Sequence, residues 1–386
     1  MKFYNKLSFL TIIIIIGLVV SCQTGEITIY NDLQKELINN GYNFFQEIDN
    51  METKKLSATV LTADSLRTPR ILKVWPEKNA LLVMDQSNKE YLSIYNLRIG
   101  QLVGQFLNKG SGPNELSMPG TFEISKDDSA VEILGFNPET IFRYSFDSLL
   151  QGVTKPQTKV SRFGDVIWPI WVSDSLLVAL NDSPLQAENE LIVTLDHQGN
   201  RVDSIGNFPT VLHKKVKSVN LTSIHPSSLS SNAEKIIMVQ NFMYNDVLHI
   251  YSFSPETNKV SIFNKLINKD IKEIELKGPV NSDGEIIYEG IVDRKIGFPF
   301  PAAVGNKKFL IGKTNAKDVS DFVGVDELWL ISFDGQVTAK YTLDVPLLSY
   351  DVDWDAGVIY GICIAHPEPE YEVSIVKFEM RNYKGE

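Results

Sequence analysis

A repeat restricts the fold of this chain more than any other feature. Pro69, Pro119 and Pro169 stand 50 residues apart, each just ahead of a run rich in β-branched and aromatic residues: Pro-Arg-Ile-Leu-Lys-Val, Pro-Gly-Thr-Phe-Glu-Ile and Pro-Ile-Trp-Val-Ser. Proline has no N–H to give to a ladder, so it is tolerated at the first position of a strand and not in its middle. Pro226, Pro299 or Pro301, and Pro346 fit the same place ahead of later runs, at less regular spacing.

From about residue 52 the chain is a series of short period-two β runs divided by turn residues. Residues 80–85, 91–95 and 101–107 make one set, 130–134 and 141–146 a second, and 176–180 with 191–195 a third. The pattern returns at 236–240 with 247–253, at 309–312 with 327–333, and at 358–364 with 373–378. These are six units of roughly 45 to 60 residues, the length of propeller blades. No helical period runs through the array. An all-β fold is therefore expected: a six-bladed β-propeller of four-stranded antiparallel blades over residues 52–386. The last unit supplies three strands. Lys54 to Leu61, ahead of the first unit, is expected to add the fourth, closing the ring by pairing the N-terminal and C-terminal strands.

The run Leu66-Arg67-Thr68-Pro69-Arg70-Ile71, the strand end Leu82-Val83-Met84-Asp85 and the turn Gly110-Ser111-Gly112-Pro113-Asn114-Glu115-Leu116 together resemble the TolB-like six-bladed β-propeller lipoproteins of Bacteroidetes. The resemblance covers about residues 52–380 and is strongest over the first two blades. It implies fold, anchoring and phylum. Its motifs are structural, and no catalytic residues come with them. The longer connection between Leu266 and Phe298 departs from an even blade length.

The N-terminus carries a different message. Lys2 and Lys6 precede an apolar stretch from Leu7 to Val20, closed by Ser21 and Cys22. A basic start, a short apolar core and small residues at a cut site mark a secretory signal. The cysteine after the apparent cut resembles the lipobox of bacterial lipoproteins, whose thiol is acylated. As a helix those 14 residues would reach only ~21 Å, short of the ~30 Å hydrocarbon core. Residues 1–21 are thus expected to be a signal peptide, with Cys22 the lipidation site. Residues 22–51 are read as a tether that includes a short helix from Asp32 to Asn40. No Asp follows Cys22, which favours the outer membrane, on its periplasmic or cell-surface face.

Charge and composition narrow the partners. Without Lys2 and Lys6, 35 basic residues face 48 acidic ones, a balance of about −13. That argues against nucleic acid and against docking on anionic lipid, leaving the acyl anchor as the membrane contact. The other cysteine, Cys363, lies in the apolar run Ile359 to Ala365 and reads as a small buried hydrophobe.

No local motif for chemistry stands out. Gly110-Ser111-Gly112-Pro113 lacks the Lys-Ser/Thr ending of a phosphate loop and reads as a turn. Asp351, Asp353 and Asp355 imitate the start of a calcium loop, but Ala356 and Ile362 stand where Gly and Glu belong. The five histidines show no metal spacing, and no Gly-x-Ser-x-Gly elbow is present. Five Asp-Ser-aliphatic triplets, at Asp64, Asp128, Asp147, Asp174 and Asp203, resemble O-glycosylation acceptors of Bacteroidetes, although turns favour Asp and Ser anyway. No cofactor, no metal site and no catalytic residue are assigned.

The functional expectation is geometric. Residues flanking the proline marker should ring the central funnel. These are Thr68, Met118, Trp168, His225, Phe298 and Val345, followed by Arg70 and Ile170. Arg70, Trp168, Trp171, His225 and Phe298 are the candidate ligand-binding residues, with both indoles expected near one rim. Indole faces suit a sugar ring or an apolar side chain, and a guanidinium suits a carboxylate. The reading is an envelope-anchored lipoprotein that binds a glycan, a peptide or an envelope protein. The alternative is an envelope enzyme acting on glycans or peptides, with a site built from several blades.

Overall fold

The computed structural model describes residues 32–47, 51–62, 66–112, 115–135, 140–161, 166–181, 190–209, 216–217, 226–244, 246–271, 276–279, 282, 286–287, 290–291, 296–316, 321–366 and 372–380. The signal segment, Cys22 and His225 lie outside them.

Strands form where the sequence alternates, and within a sheet each pairs antiparallel with the next along the chain. Pro69–Trp75, Ala80–Asp85, Glu90–Asn96 and Leu102–Asn108 make the first antiparallel sheet. Pro119–Ile124, Ala130–Gly135, Thr140–Ser145 and Thr158–Ser161 make the second. Val166–Ser173, Leu176–Asn181, Glu190–Asp196 and Arg201–Asn207 make the third. Ser227–Ser231, Ile237–Phe242, Val247–Ser254 and Lys259–Ile267 make the fourth.

The fifth and sixth sheets share one strand, Gln336–Asp353. Its residues 337–342 pair with Val325–Ser332, outside Lys308–Lys313 and Ala303–Val304. Its residues 349–353 pair with Val358–His366, which pairs in turn with Glu372–Glu379. Counted this way, the described residues hold six four-stranded groups, the sixth completed by Thr59–Thr62.

Burial follows position in the sheet. The second strand Ala80–Asp85 is buried at every position, because both its faces are covered. In the outer strand Leu102–Asn108 only Leu107 is buried. Apolar clusters fill the spaces between neighbouring sheets all the way round. Phe122 and Trp75 belong to the space between the first and second sheets, and Ile141 and Leu177 to that between the second and third. Val178 and Met238 link the third to the fourth, Ile250 and Phe309 the fourth to the fifth, and Leu328 and Ile359 the fifth to the sixth. A further cluster sets Leu72 and Val74 of the first sheet against Tyr360 and Ile375 of the sixth. Each such side chain, fully buried, contributes about 1.5–3 kcal/mol of transfer free energy.

The N-terminal segment corrects one expectation. Lys54 to Leu61 does not act as a single outer strand. Thr53–Leu56 runs parallel to the outer strand of the fifth sheet, Lys54 opposite Tyr341. Only Thr59–Thr62 joins the sixth, Val60 opposite Val376. Within the segment read as a tether, residues 32–47 pack on the propeller. The helix Asp32–Asn39 buries Leu33 and Leu37 against the core between the third and fourth sheets. Asn43 and Phe44 extend the fourth sheet, opposite Leu266 and Ile267, and Phe45 is buried between the fourth and fifth. The long connection after the fourth sheet pairs within itself, Leu276–Lys277 with Gly290–Ile291.

Candidate functional site

The first strand of each sheet faces a central channel. At one mouth lies a cavity of about 320 Å³ lined by residues of all six sheets or their lead-in turns, among them Arg70, Thr121, Trp168, Asn241, Phe300 and Tyr350. Toward the opposite mouth lies a second cavity of about 530 Å³, lined by Trp75, Glu77, Asp128, Lys235 and Asp355 among others. Lys73, Ala302 and Asp351 line both cavities and so mark the waist between them.

The waist is charged and internally satisfied. Lys73 Nζ lies 2.8 Å from Glu123 Oε1, and Lys235 Nζ lies 3.4 Å from Glu123 Oε2. Burial favours protonated Glu123, but the two ammonium groups outweigh it and hold the carboxyl below the usual carboxylate range. Burial alone would lower the pKa of Lys73; Glu123 and Asp351 together raise it. Asp351 accepts the backbone N–H groups of Val74 and Val352, each at 2.9 Å, and burial pushes its carboxyl up. Lys73 and Glu123 belong to no motif because each is isolated within an apolar run, and Asp351 stands out in the sequence only as part of the imitation calcium loop. One signal was available: Lys73 and Glu123 are 50 residues apart, the period of the proline repeat, so adjacent sheets bring equivalent positions together.

Trp168 owes its place to a distortion. The pairing of Val166–Ser173 with its neighbour lapses between Ile167 and Ile170, and Trp168 sits there at φ +53°. A bulky residue in the left-handed region costs about 1–2 kcal/mol, which its surroundings must offset. Its indole packs partly on the core between the third and fourth sheets while lining the mouth cavity. Pro169, which would interrupt an unbroken ladder, falls within this bulge.

The expected set divides. Arg70 is exposed and shares the mouth with Trp168. No ion-pair partner for Arg70 occurs among the described residues. Trp171 is not near that rim: past the bulge it packs on the core between the second and third sheets and lines a separate groove there. Phe298 is fully buried, edge-on to Phe45 at 6.0 Å, and does not face the channel. Phe300 lines the mouth instead. Pro301 is the better marker of that sheet, since Phe300 precedes it as Trp168 precedes Pro169. Val345 packs into the core between the fifth and sixth sheets, and Ser349 and Tyr350 take the channel position.

The ring of sheets with a polar waist matches a family model described as TolB-like 6-blade propeller-like over residues 48–355. The chain belongs to this TolB-like family. Among solved structures, a TolB-like chain of this shape is similar to a Bacteroides fragilis protein named as exported, at 12% identity and a TM-score of 0.55, covering 87% of this chain and 98% of that one. A DUF4221-family protein of Bacteroides vulgatus matches at 9% identity and a TM-score of 0.49, covering 85% of this chain and 97% of that one. At such identities the likeness is one of fold. No curated protein matches the chain.

Proposed function

We propose that this TolB-like propeller is an envelope-anchored lipoprotein, acylated at Cys22, that binds rather than transforms its ligand at the channel mouth. The convergence of six sheets on one cavity carries this reading, with the guanidinium of Arg70, which has no ion-pair partner among the described residues, beside Trp168, Phe300 and Tyr350. An apolar, aromatic lining next to one exposed cation, the other (Lys73) being paired with Glu123, suits a peptide segment bearing a carboxylate on an apolar body. The waist below is occupied by charges that satisfy one another, so the mouth is a shallow receptacle.

Panning a displayed random peptide library against the purified protein tests the site. Peptides recovered on the wild type are expected to carry an acidic group and to bind Arg70→Ala and Trp168→Ala at least tenfold more weakly. Peptides that bind both variants as tightly as the wild type place the site elsewhere. Anchoring is tested apart from binding: Cys22→Ser should shift the protein from the membrane to the soluble envelope fraction, and a membrane-bound variant would refute acylation at Cys22.

A further inference from the structure

The groove between the second and third sheets holds a cavity of about 590 Å³ that shares no lining residue with either cavity of the channel. Trp171, Glu132, Arg143, Asp127, Gln157 and Lys126 line it. The indole of Trp171 is half-buried, packed on the apolar cluster formed by residues such as Leu134, Ile141 and Leu177. It therefore offers a supported aromatic surface to the cavity.

The polar groups around that indole are planar and held in place. Arg143 stands directly opposite Glu132 in the ladder. One terminal nitrogen of Arg143 lies 3.1 Å from Glu132 Oε1, and the other lies 2.7 Å from each oxygen of Asp127. The Glu132 side chain is only 9% exposed, and its Oε2 has no hydrogen-bond partner among the described residues. Burial pushes the carboxyl of Glu132 up to about 7, against the pull of Arg143, so near neutrality it can both donate and accept. Lys126 is engaged elsewhere: it donates to the Val172 carbonyl at 3.1 Å and sits 5.7 Å from the centre of the Phe253 ring.

Arg143, Asp127 and Glu132 answer one another and Lys126 is held at the Val172 carbonyl, while exposed Asp174, without an ion-pair partner among the described residues, would repel an anionic ligand. What remains is an aromatic face beside an open carboxyl oxygen and the amide of the exposed Gln157. A pyranose has the matching chemistry: an apolar C–H face for an indole, and edge hydroxyls that pair with planar carboxyl and amide groups. We propose that this groove is a second binding site, specific for a neutral saccharide, with a sugar ring on Trp171 and its hydroxyls on Glu132 and Gln157. This site is independent of the peptide reading of the channel mouth.

An array of neutral, sulfated and uronic-acid oligosaccharides, probed with the purified full-length protein, tests the proposal. The strongest neutral binder is then titrated by calorimetry. Trp171→Ala should weaken binding at least tenfold and Gln157→Ala about threefold or more, while Trp171→Phe keeps it within threefold. Because Gln157 is exposed, its substitution reads binding without disturbing the fold. Trp168→Ala and Arg70→Ala, at the channel mouth, should leave the titration unchanged. Binding confined to the charged saccharides, or no saccharide bound at all, overturns the proposal. So does a neutral saccharide whose affinity ignores Trp171→Ala and Gln157→Ala, or falls as far with Trp168→Ala.

Discussion

Tyr42 and His249 stand 207 residues apart in the chain and share a buried 2.7 Å hydrogen bond between the Tyr hydroxyl and Nε2. The direction of that bond follows from its neighbours. Burial, with Lys265 adding to it, pushes His249 down to about 3, so the imidazole is neutral and carries one N–H. Tyr251 donates its hydroxyl proton to Gln240 Oε1 at 2.8 Å, so its oxygen accepts the Nδ1–H of His249 at 3.2 Å. Nε2 is then the acceptor, and Tyr42 the donor. Gln240 Nε2 donates in turn to Ser227, a residue of the mouth cavity. A hydrogen-bonded chain thus joins the docked N-terminal segment to the channel.

Removing the first donor of that chain should be costly although the ring stays. Tyr42→Phe leaves His249 Nε2 buried without a partner, at a cost of about 1–3 kcal/mol. Urea denaturation should show a lower midpoint at an unchanged slope. An unaltered midpoint would mean that the segment 32–47 contributes little to the folded body.

Two buried groups should oppose each other as pH changes. Folded His249 stays neutral down to about 3, so the unfolded chain binds the extra proton below about 6.5, and this term weakens the fold as pH falls from 6.5 toward 3. Folded Glu132 keeps its proton up to about 7 against an ordinary value of 4.5, so its term is full below 4.5 and is lost as pH rises to 7. Between about 4.5 and 6.5 the slopes cancel. Glu132→Gln should unmask the histidine slope there, about 1.4 kcal/mol lost per pH unit on acidification. Denaturation midpoints across pH 4.5 to 6.5, expected flat for these two groups in the wild type and falling toward acid in the variant, check it.

The waist should respond unequally to its two signs. Glu123→Ala strands Lys73 and Lys235 in the channel and should cost about 3–5 kcal/mol, as the loss of one partner of a buried ion pair does. Lys73→Met should cost less, because Glu123 keeps Lys235 at 3.4 Å. Thermal unfolding of the two variants gives the order, and the reverse order would refute this account of the cluster.

Glycines at the junction of the fifth and sixth sheets should not tolerate a side chain. Gly324 has φ +135°, and an added Cβ would lie 2.7 Å from the Leu347 carbonyl oxygen, in the strand shared by the two sheets. Gly152 has φ +77° but nothing within 4 Å of that position. Gly152→Ala should therefore cost only the left-handed penalty of about 1 kcal/mol, and Gly324→Ala clearly more. Chemical denaturation of both variants makes the comparison.

Much of the fold was legible because its signals are local. Proline at strand starts, two-residue alternation and turn residues each act within a few positions, and they place most of the strands near where they form. The mouth residues Arg70 and Trp168 were legible through the same marker. Phe298 was misplaced by a choice between two prolines: counting from Pro301 selects Phe300, and a shift of two residues exchanged a buried ring for a lining one. Trp171 was misplaced because a bulge at Trp168 changes which face the following residues take, and no periodicity announces a bulge.

Local sequence was enough to show that this chain is built of repeated antiparallel sheets and where the first three begin, at Pro69, Pro119 and just before Pro169, since strand formation follows from neighbours along the chain. Packing in three dimensions was needed for Lys73 to meet Glu123, for Trp168 and Trp171 to serve different cavities, and for residues 32–47 to dock on the sheets. Those outcomes depend on how sheets rotate and pack against one another. The contacts that fix this, such as Tyr42 with His249, join residues far apart in the chain.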